Sequence, residues 1–400
     1  MTATNINNRR VVYLDNNATT ATAPEVLEAM QPYYKDFYGN PSSIHYFGGH
    51  VKARMDTARQ QVAAGLGSHP DEIVFTSCGT ESDSTAILSA LRAFPQKRHM
   101  VTTRVEHPAI MNLAQELVRQ GYDVTFLPVD NLGNLDLEQV REAVREDTAI
   151  VSVMWANNET GVMFPVEKIA RIAKEKGSLF HTDAVQTVGK IPINLADTAI
   201  DMLSLSGHKL HTPKGVGALY VKKGTPFVPF MLGGHQEHGR RAGTENVPYI
   251  IGLGKAFELA GSHMEEKGTH IRRLRDRLEK GLLGIEATIL NGDPINRVPG
   301  TSSVSFEFIE GESILMLLSD QGICASSGSA CTSGSLEPSH VLRAMGVPFT
   351  AAHGSVRFSF SGYNTDADVD LVLEVMPGIV DKLRAISPFW QQRRKIALRA

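Results

Sequence analysis

Ser206-Gly207-His208-Lys209 follows the apolar run Met202–Leu205, which sets a lysine at the mouth of a strand beside Gly and His. A lysine withdrawn from bulk water can lose its proton near neutral pH and act as an amine nucleophile, Schiff-base formation included. For these four residues alone, a solvated loop lysine is the ordinary alternative. Asp183 closes another apolar run, Leu179–Asp183, ahead of Lys209 in the chain. A carboxylate there suits a protonated ring nitrogen, and it equally suits a helix N-cap. The segment Thr76-Ser77-Cys78-Gly79-Thr80-Glu81-Ser82 joins a strand pattern to a helical one. Small and hydroxyl residues at a helix N-terminus make an anion site, because free N–H groups and the positive dipole end face the ligand. A capping box is the structural alternative. The chain lacks GxxxxGK[ST], so such a phosphate site is not a nucleotide P-loop. Taken together, the three segments fit one ligand, a phosphorylated aldehyde carrying a pyridine ring.

A fourth segment offers a second nucleophile. Cys331 stands in Ser326-Ser327-Gly328-Ser329-Ala330-Cys331-Thr332-Ser333-Gly334-Ser335, a run of small and hydroxyl residues. Such a segment builds no core and is expected to be mobile. Its thiol must ionise to attack, which nearby cationic groups favour; an incidental surface cysteine is the alternative. Cys324 reads as a small buried hydrophobe, and Cys78 as packing beside the phosphate segment. The separation of Cys324 from Cys331 matches no usual zinc spacing. His235-Gln-Glu-His238 is one residue short of H-E-x-x-H. These spacings argue against a metal or cluster carrier built on Cys324, Cys331, His340 and His353.

The elements that must position these residues alternate. Strand patterns fall at Glu72–Ser77, His99–Val105, Val124–Val129, Ile150–Trp155, Leu179–Asp183, Met202–Ser206 and Gly217–Val221. Helical patterns fall between them at Thr85–Ala93, Pro108–Gln120, Leu137–Arg145 and Val166–Lys176. In the last, Val166, Ile169, Ala170, Ile172 and Ala173 share one face. This alternation implies an α/β fold with a mostly parallel, helix-covered sheet. From about Gly252 a long polar helix is expected through residues 263–284. A smaller α+β unit follows, with strand-like runs at Ala287–Leu290, Ser302–Phe308, Ile323–Ser326 and Val356–Ser359 and helices at Glu312–Asp320 and Asp366–Ile386. The reading divides the chain near residue 260: residues 14–260 form a large domain, and 1–13 with 261–400 a small one carrying the Cys331 loop.

Composition narrows the class without naming a reaction. The chain has 400 residues, a formal net charge of −3, 42% hydrophobic and 21% charged residues. That balance disfavours disorder, a fibre or a phosphate-backbone coat. No apolar run approaches the roughly 20 residues that span a bilayer, and the N-terminus has no apolar h-region of a signal peptide. Three cysteines make no disulfide framework, so a cytoplasmic location is expected.

The chain resembles the cysteine desulfurases of the nitrogen-fixation type, class-V aminotransferase relatives among the fold-type I pyridoxal phosphate enzymes. The resemblance rests on YLDNNATT from Tyr13, GNPSS from Gly39, TSCGTESDS from Thr76 and EHPA from Glu106. It continues through NNETG from Asn157, TDAVQ from Thr182, SGHKLHTPKG from Ser206, RRAGTEN from Arg240 and SSGSACTSGSLEPSHV from Ser326. It implies pyridoxal 5'-phosphate held as a covalent aldimine at Lys209, with Asp183 on the ring nitrogen and Gln186 on the phenolic oxygen. His107 is implied to stack on the ring and move protons, and Asn158 to line the same face and position substrate. Gly79, Thr80, Ser206 and His208 are implied to hold the phosphate. Thr244 is implied to reach the phosphate of a neighbouring subunit, which makes a homodimer part of the expectation. Arg357 is implied to bind the substrate carboxylate and Cys331 to accept sulfur from L-cysteine, releasing L-alanine. An iron–sulfur cluster scaffold is the implied sulfur acceptor, for nitrogenase maturation. No metal site is expected, Cys331 being a candidate cluster ligand only during transfer; no nucleic acid or membrane partner is expected. A general housekeeping desulfurase, a selenocysteine lyase and an aminotransferase on the same Lys and Asp remain alternatives, and an aminotransferase has no use for Cys331.

Overall fold

The computed structural model describes residues 5–6, 9–327 and 337–397, so Cys331 lies outside the described residues. Seven strands build the main sheet: β1 (Ile73–Thr76), β2 (His99–Thr103), β3 (Asp123–Leu127), β4 (Thr148–Ser152), β5 (Leu179–Asp183), β6 (Met202–Ser206) and β7 (Gly217–Val221). Their order across the sheet is β1-β7-β6-β5-β4-β2-β3. Strands β2 to β6 pair in parallel, while β7 runs antiparallel to both β1 and β6. Every residue of the six strands other than β3 is buried, as expected of a sheet covered on both faces. The edge strand β3 is mostly half-exposed.

Parallel neighbours require crossovers, which are largely helical here. Helix α1 (Tyr46–Leu66) precedes the sheet, and α2 (Gly79–Ala93), α3 (Pro108–Arg119), α4 (Leu137–Ala143) and α5 (Val166–Glu175) follow β1 to β4 in turn. Helix α5 buries Val166, Ile169, Ala170, Ile172 and Ala173, the face that the 3.6-residue period selects. The parallel arrangement brings the carboxyl ends of β2, β4, β5 and β6 to one edge, where ligands of such sheets bind.

A second core stands beside the first. An antiparallel sheet of β8 (Thr288–Leu290), β9 (Thr301–Phe306) and β10 (Ser355–Ser359) has the order β8-β9-β10. Helices α7 (Met264–Leu282), α8 (Gly311–Asp320) and α9 (Asp366–Ile386) pack with it. Val12 and Leu14 join this core, and Val12–Tyr13 pairs in parallel with Ile323–Cys324. Conversely, Val341, Leu342 and Met345 join the first core. The segment after Leu14 stitches the two together: Asn16 N donates to Ser359 O at 3.2 Å and Thr20 N to His208 O at 2.9 Å. Preceding α7, α6 (Val247–Gly261) packs on α1, so the expected single polar helix is two helices separated at Ser262-His263.

Candidate active site

A cavity of about 500 Å³ opens at the carboxyl edge of the main sheet. Gly79, Thr80, His107, Asn158, Asp183, Gln186, Ser206, His208, Lys209 and Arg357 all line it. These are the sequence-selected residues except Thr244 and Cys331. Thr244 is exposed and lines a separate surface recess with Tyr38 and Asn40.

Lys209 follows β6, in the short helical turn Gly207–Lys209. Its Nζ donates to the carbonyl oxygens of Asn17 and Ala18, the latter at 2.7 Å. Gln186 Nε2 donates to the same Asn17 carbonyl at 3.0 Å. Asp183, at the end of β5, is 6% exposed, and its Oδ1 accepts from Val185 N at 2.9 Å. The cap-like turn and the cavity-facing carboxylate are therefore one structure, not alternatives. Burial pushes the Asp183 carboxyl up, opposed by His107 and Lys209. Beneath it lies fully buried Asp83, pushed well up by burial and by Asp183. Each carboxyl disfavours a second negative charge on its neighbour. A ring N⁺–H beside Asp183 would draw the charge to Asp183.

His107 caps α3: its Nδ1 accepts from Ala109 N at 3.2 Å. In the neutral imidazole the proton is then on Nε2. Burial, followed by Lys209 and His340, lowers its pKa against the pull of Asp183. His340 Nε2 meets the Glu106 carbonyl at 3.0 Å, and His340 lines the same cavity.

The start of α2 carries the anion site. Its N-cap residue Cys78 makes no side-chain capping bond, which leaves first-turn N–H groups to a ligand. A Cβ on Gly79 would meet Val185 Cγ2 at 2.9 Å, closer than real Cβ contacts. Only glycine lets the backbone line this cradle so closely. The one acid of the first turn is turned away: Glu81 takes Arg241 Nε at 2.8 Å and Ser77 N at 2.8 Å. Burial raises the Glu81 carboxyl, and its bonds to Arg241 and Ser77 more than offset this, leaving it lowered.

Arg357, from β10, crosses from the second core into the cavity. Its Nη1 donates to Asn158 O at 3.0 Å and its Nη2 to Asp15 Oδ1 at 2.8 Å. Its Nε is buried without a partner among the described residues. A buried N–H of this kind wants an acceptor, and a carboxylate supplies one in bidentate geometry. Arg357 also pairs through its backbone with Ser326, where the Cys331 segment leaves the described chain. That segment returns at Glu337, Pro338 and Ser339, which line the cavity. Ser339 donates to Glu159 Oε2, a carboxyl that burial raises to about 7. The Cys331 segment thus returns at the cavity wall, and it leaves beside Arg357, which lines that wall.

The uncapped anion cradle, the buried carboxylate, the lysine and the orphaned guanidinium N–H fit pyridoxal 5'-phosphate and an amino-acid carboxylate. Sequence reasoning missed Asn17, Asp83, His340 and Arg343 as lining residues, and it assigned Cys78 to packing although Cys78 lines the cavity. Asn17 and Asp83 both lie within quoted motifs, but no motif shows that α2 buries Asp83 against Asp183. Cys324 is half-buried rather than buried.

Comparison with known proteins places this geometry. The aminotransferase class-V family model matches residues 12–372. A cysteine desulfurase of Trichormus azollae is 59% identical over 380 residues, covering 95% of each chain. The cysteine desulfurase NifS of Azotobacter vinelandii is 57% identical over 381 residues, covering 95% of each. Among solved structures, a NifS-like protein superposes with a TM-score of 0.88 at 42% identity, covering 93% of this chain and 100% of that one.

Proposed function

Because the chain belongs to the class-V aminotransferase family and is a pyridoxal phosphate-dependent cysteine desulfurase, we propose that its cavity divides the work as follows. Gly79 and Thr80 of α2, with Ser206 and His208, hold the cofactor phosphate; Asp183 holds the ring nitrogen, and Gln186 the phenolic oxygen. When bound, the cofactor supplies an electron sink for the pair left as the substrate α-proton departs. Lys209 anchors the cofactor, and its Nζ takes that proton. His107 stacks on the ring and gives or takes a proton at Nε2, the atom its capping bond leaves free. Arg357 binds the L-cysteine carboxylate through its orphaned Nε–H and an Nη–H, with Asn158 beside it.

Cys331 thiolate attacks the substrate sulfur. A sulfur–sulfur bond forms, the carbon–sulfur bond breaks, and its electron pair stays with the carbon skeleton. A proton on that carbon completes L-alanine and leaves a Cys331 persulfide. The observation that carries this reading is the convergence of ten sequence-selected residues on one cavity, with the Cys331 segment leaving beside Arg357 and returning at residues 337–339 of its wall.

The reading includes a homodimer. The recess that holds Thr244 is lined by Tyr33, Phe37 and Tyr38, of which Phe37 and Tyr38 are exposed. Apolar side chains exposed at one recess suit an interface, which would carry Thr244 toward a partner's phosphate site. We also read residues 14–260 as the cofactor-binding unit and 1–13 with 261–400 as the second. The persulfide sulfur passes to an iron–sulfur cluster scaffold in the cytoplasm, for nitrogenase maturation; the NifS relative supports that assignment. No helix among the described residues is long and apolar enough to cross a membrane.

The test is alanine and sulfide release from L-cysteine with a thiol reductant, comparing the wild type with Cys331→Ala. Both proteins should show the cofactor's visible absorbance, and only the wild type should release sulfide. Equal sulfide release by the variant overturns the assignment of Cys331.

A further inference from the structure

Behind Lys209 the fold holds a second amine that this reaction does not use. Lys190 donates to Gln186 Oε1 at 2.6 Å and to Asn17 Oδ1 at 3.2 Å. The Asn17 main-chain carbonyl in turn accepts from both Lys209 Nζ and Gln186 Nε2. Lys190 and Lys209 also share the wall of a second cavity, of about 310 Å³, on the far side of Lys209. The titratable groups around Lys190 are Lys209, Arg357 and His211, and Asp15 is engaged by Arg357.

An ammonium has three donors and no acceptor. Facing Gln186, it can only meet the amide oxygen, so both amide hydrogens must point away from Lys190. One goes to the Asn17 carbonyl, which leaves the other for an acceptor in the cavity that Gln186 lines. Without Lys190 the amide could flip and turn its oxygen toward the cofactor's phenolic oxygen, acceptor against acceptor. Burial, with Lys209 and then Arg357, lowers Lys190 to about 7, and either form of the amine can donate both of these hydrogen bonds.

We propose that Lys190 is a positioning residue that sets the donor face of the Gln186 amide toward the cofactor. The proposal rests on the reading of Lys209 and Gln186 as cofactor contacts.

It is tested in the holoenzyme by titrating the bound cofactor's visible absorbance against pH in wild type, Lys190→Met and Lys190→Arg. Loss of the Lys190 donor should raise the midpoint by about one pH unit, a tenfold change in proton affinity, because the freed amide no longer donates to the phenolic oxygen, and Lys190→Arg should restore it. Lys190→Gln, which keeps a donor but no charge, should stay near the wild-type midpoint. A Lys190→Met midpoint equal to the wild type, or a Lys190→Gln midpoint shifted as far as that of Lys190→Met, overturns the proposal. A Lys209→Ala protein whose absorbance matches the wild type would instead sink the reading of Lys209.

Discussion

At the scale of single residues, the site works through atoms that the fold leaves unsatisfied or leaves no room to change. Gly79 is the sharpest case. Its missing Cβ would stand 2.9 Å from Val185 Cγ2, so Gly79→Ala must push Val185 or the start of α2 out of place. Overpacking of this kind costs about 1–3 kcal/mol. Part of that should appear as weaker cofactor binding, with the dissociation constant of apoprotein for pyridoxal phosphate rising about tenfold or more. Unchanged affinity would mean that the backbone of Gly79 does not approach the phosphate. Residue types and chain order made Lys209, Asp183 and the anion segment legible from sequence, because strand ends put them on one edge. Asp83 and Lys190 were not legible. Their importance comes from what the fold packs them against, an aspartate and a lysine distant in sequence.

Elements explain why that edge stays in place. The runs Leu179–Asp183, Met202–Ser206 and Gly217–Val221 were visible as strands with the bounds they have, since buried β-rich runs between turn residues leave little choice. The antiparallel sense of β7 was not, because a strand's pattern carries no direction. Helix α1 escaped notice too: Gly48, Gly49 and Gly65 interrupt it, and glycine weakens a helical reading. Gly65 belongs there for packing, as a Cβ would meet Phe257 of α6 at 2.4 Å. The same helix is pinned by Arg59, which takes Glu237 in two bonds of 2.7 and 2.8 Å, while Glu237 also accepts from Phe75 N of β1 at 2.9 Å. One carboxylate thus ties α1, β1 and the 236–239 turn. Glu237→Ala strands a buried guanidinium and should lower unfolding free energy by about 3–5 kcal/mol in urea titration. A loss below about 1 kcal/mol would show that water replaces the carboxylate.

For the whole molecule, the consequence is a pH dependence of stability. Glu106 is fully buried, accepts from Thr103 Oγ1 at 2.8 Å and Met154 N at 3.1 Å, and is pushed up from 4.5 to about 8, chiefly by burial. The native state therefore holds this proton more tightly than the unfolded chain. Its contribution to stability is full below about 4.5 and is lost as pH rises toward about 8. Unfolding free energy should fall over that window with a slope of up to about 1.4 kcal/mol per pH unit. Glu106→Gln, which cannot ionise, should flatten the slope. A wild-type slope that the variant leaves intact would assign the dependence to other groups. The separate antiparallel sheet was legible as a shift from alternating strands and helices to a smaller α+β pattern. The return of residues 341–345 to the first core was not, because a five-residue helix carries no periodic signal of its destination.

The central claim is that Cys331, and neither cysteine nearer in the described structure, takes the substrate sulfur. It is tested most directly by mixing holoenzyme with one equivalent of L-cysteine without reductant, then mapping added sulfur by peptide mass spectrometry. Cys78 lines the cavity and Cys324 is half-buried beside Tyr13, so each is a real competitor. The account predicts one alanine released per site and one added sulfur on the Cys331 peptide alone. Added sulfur on the Cys78 peptide, with Cys331 unmodified, would contradict it.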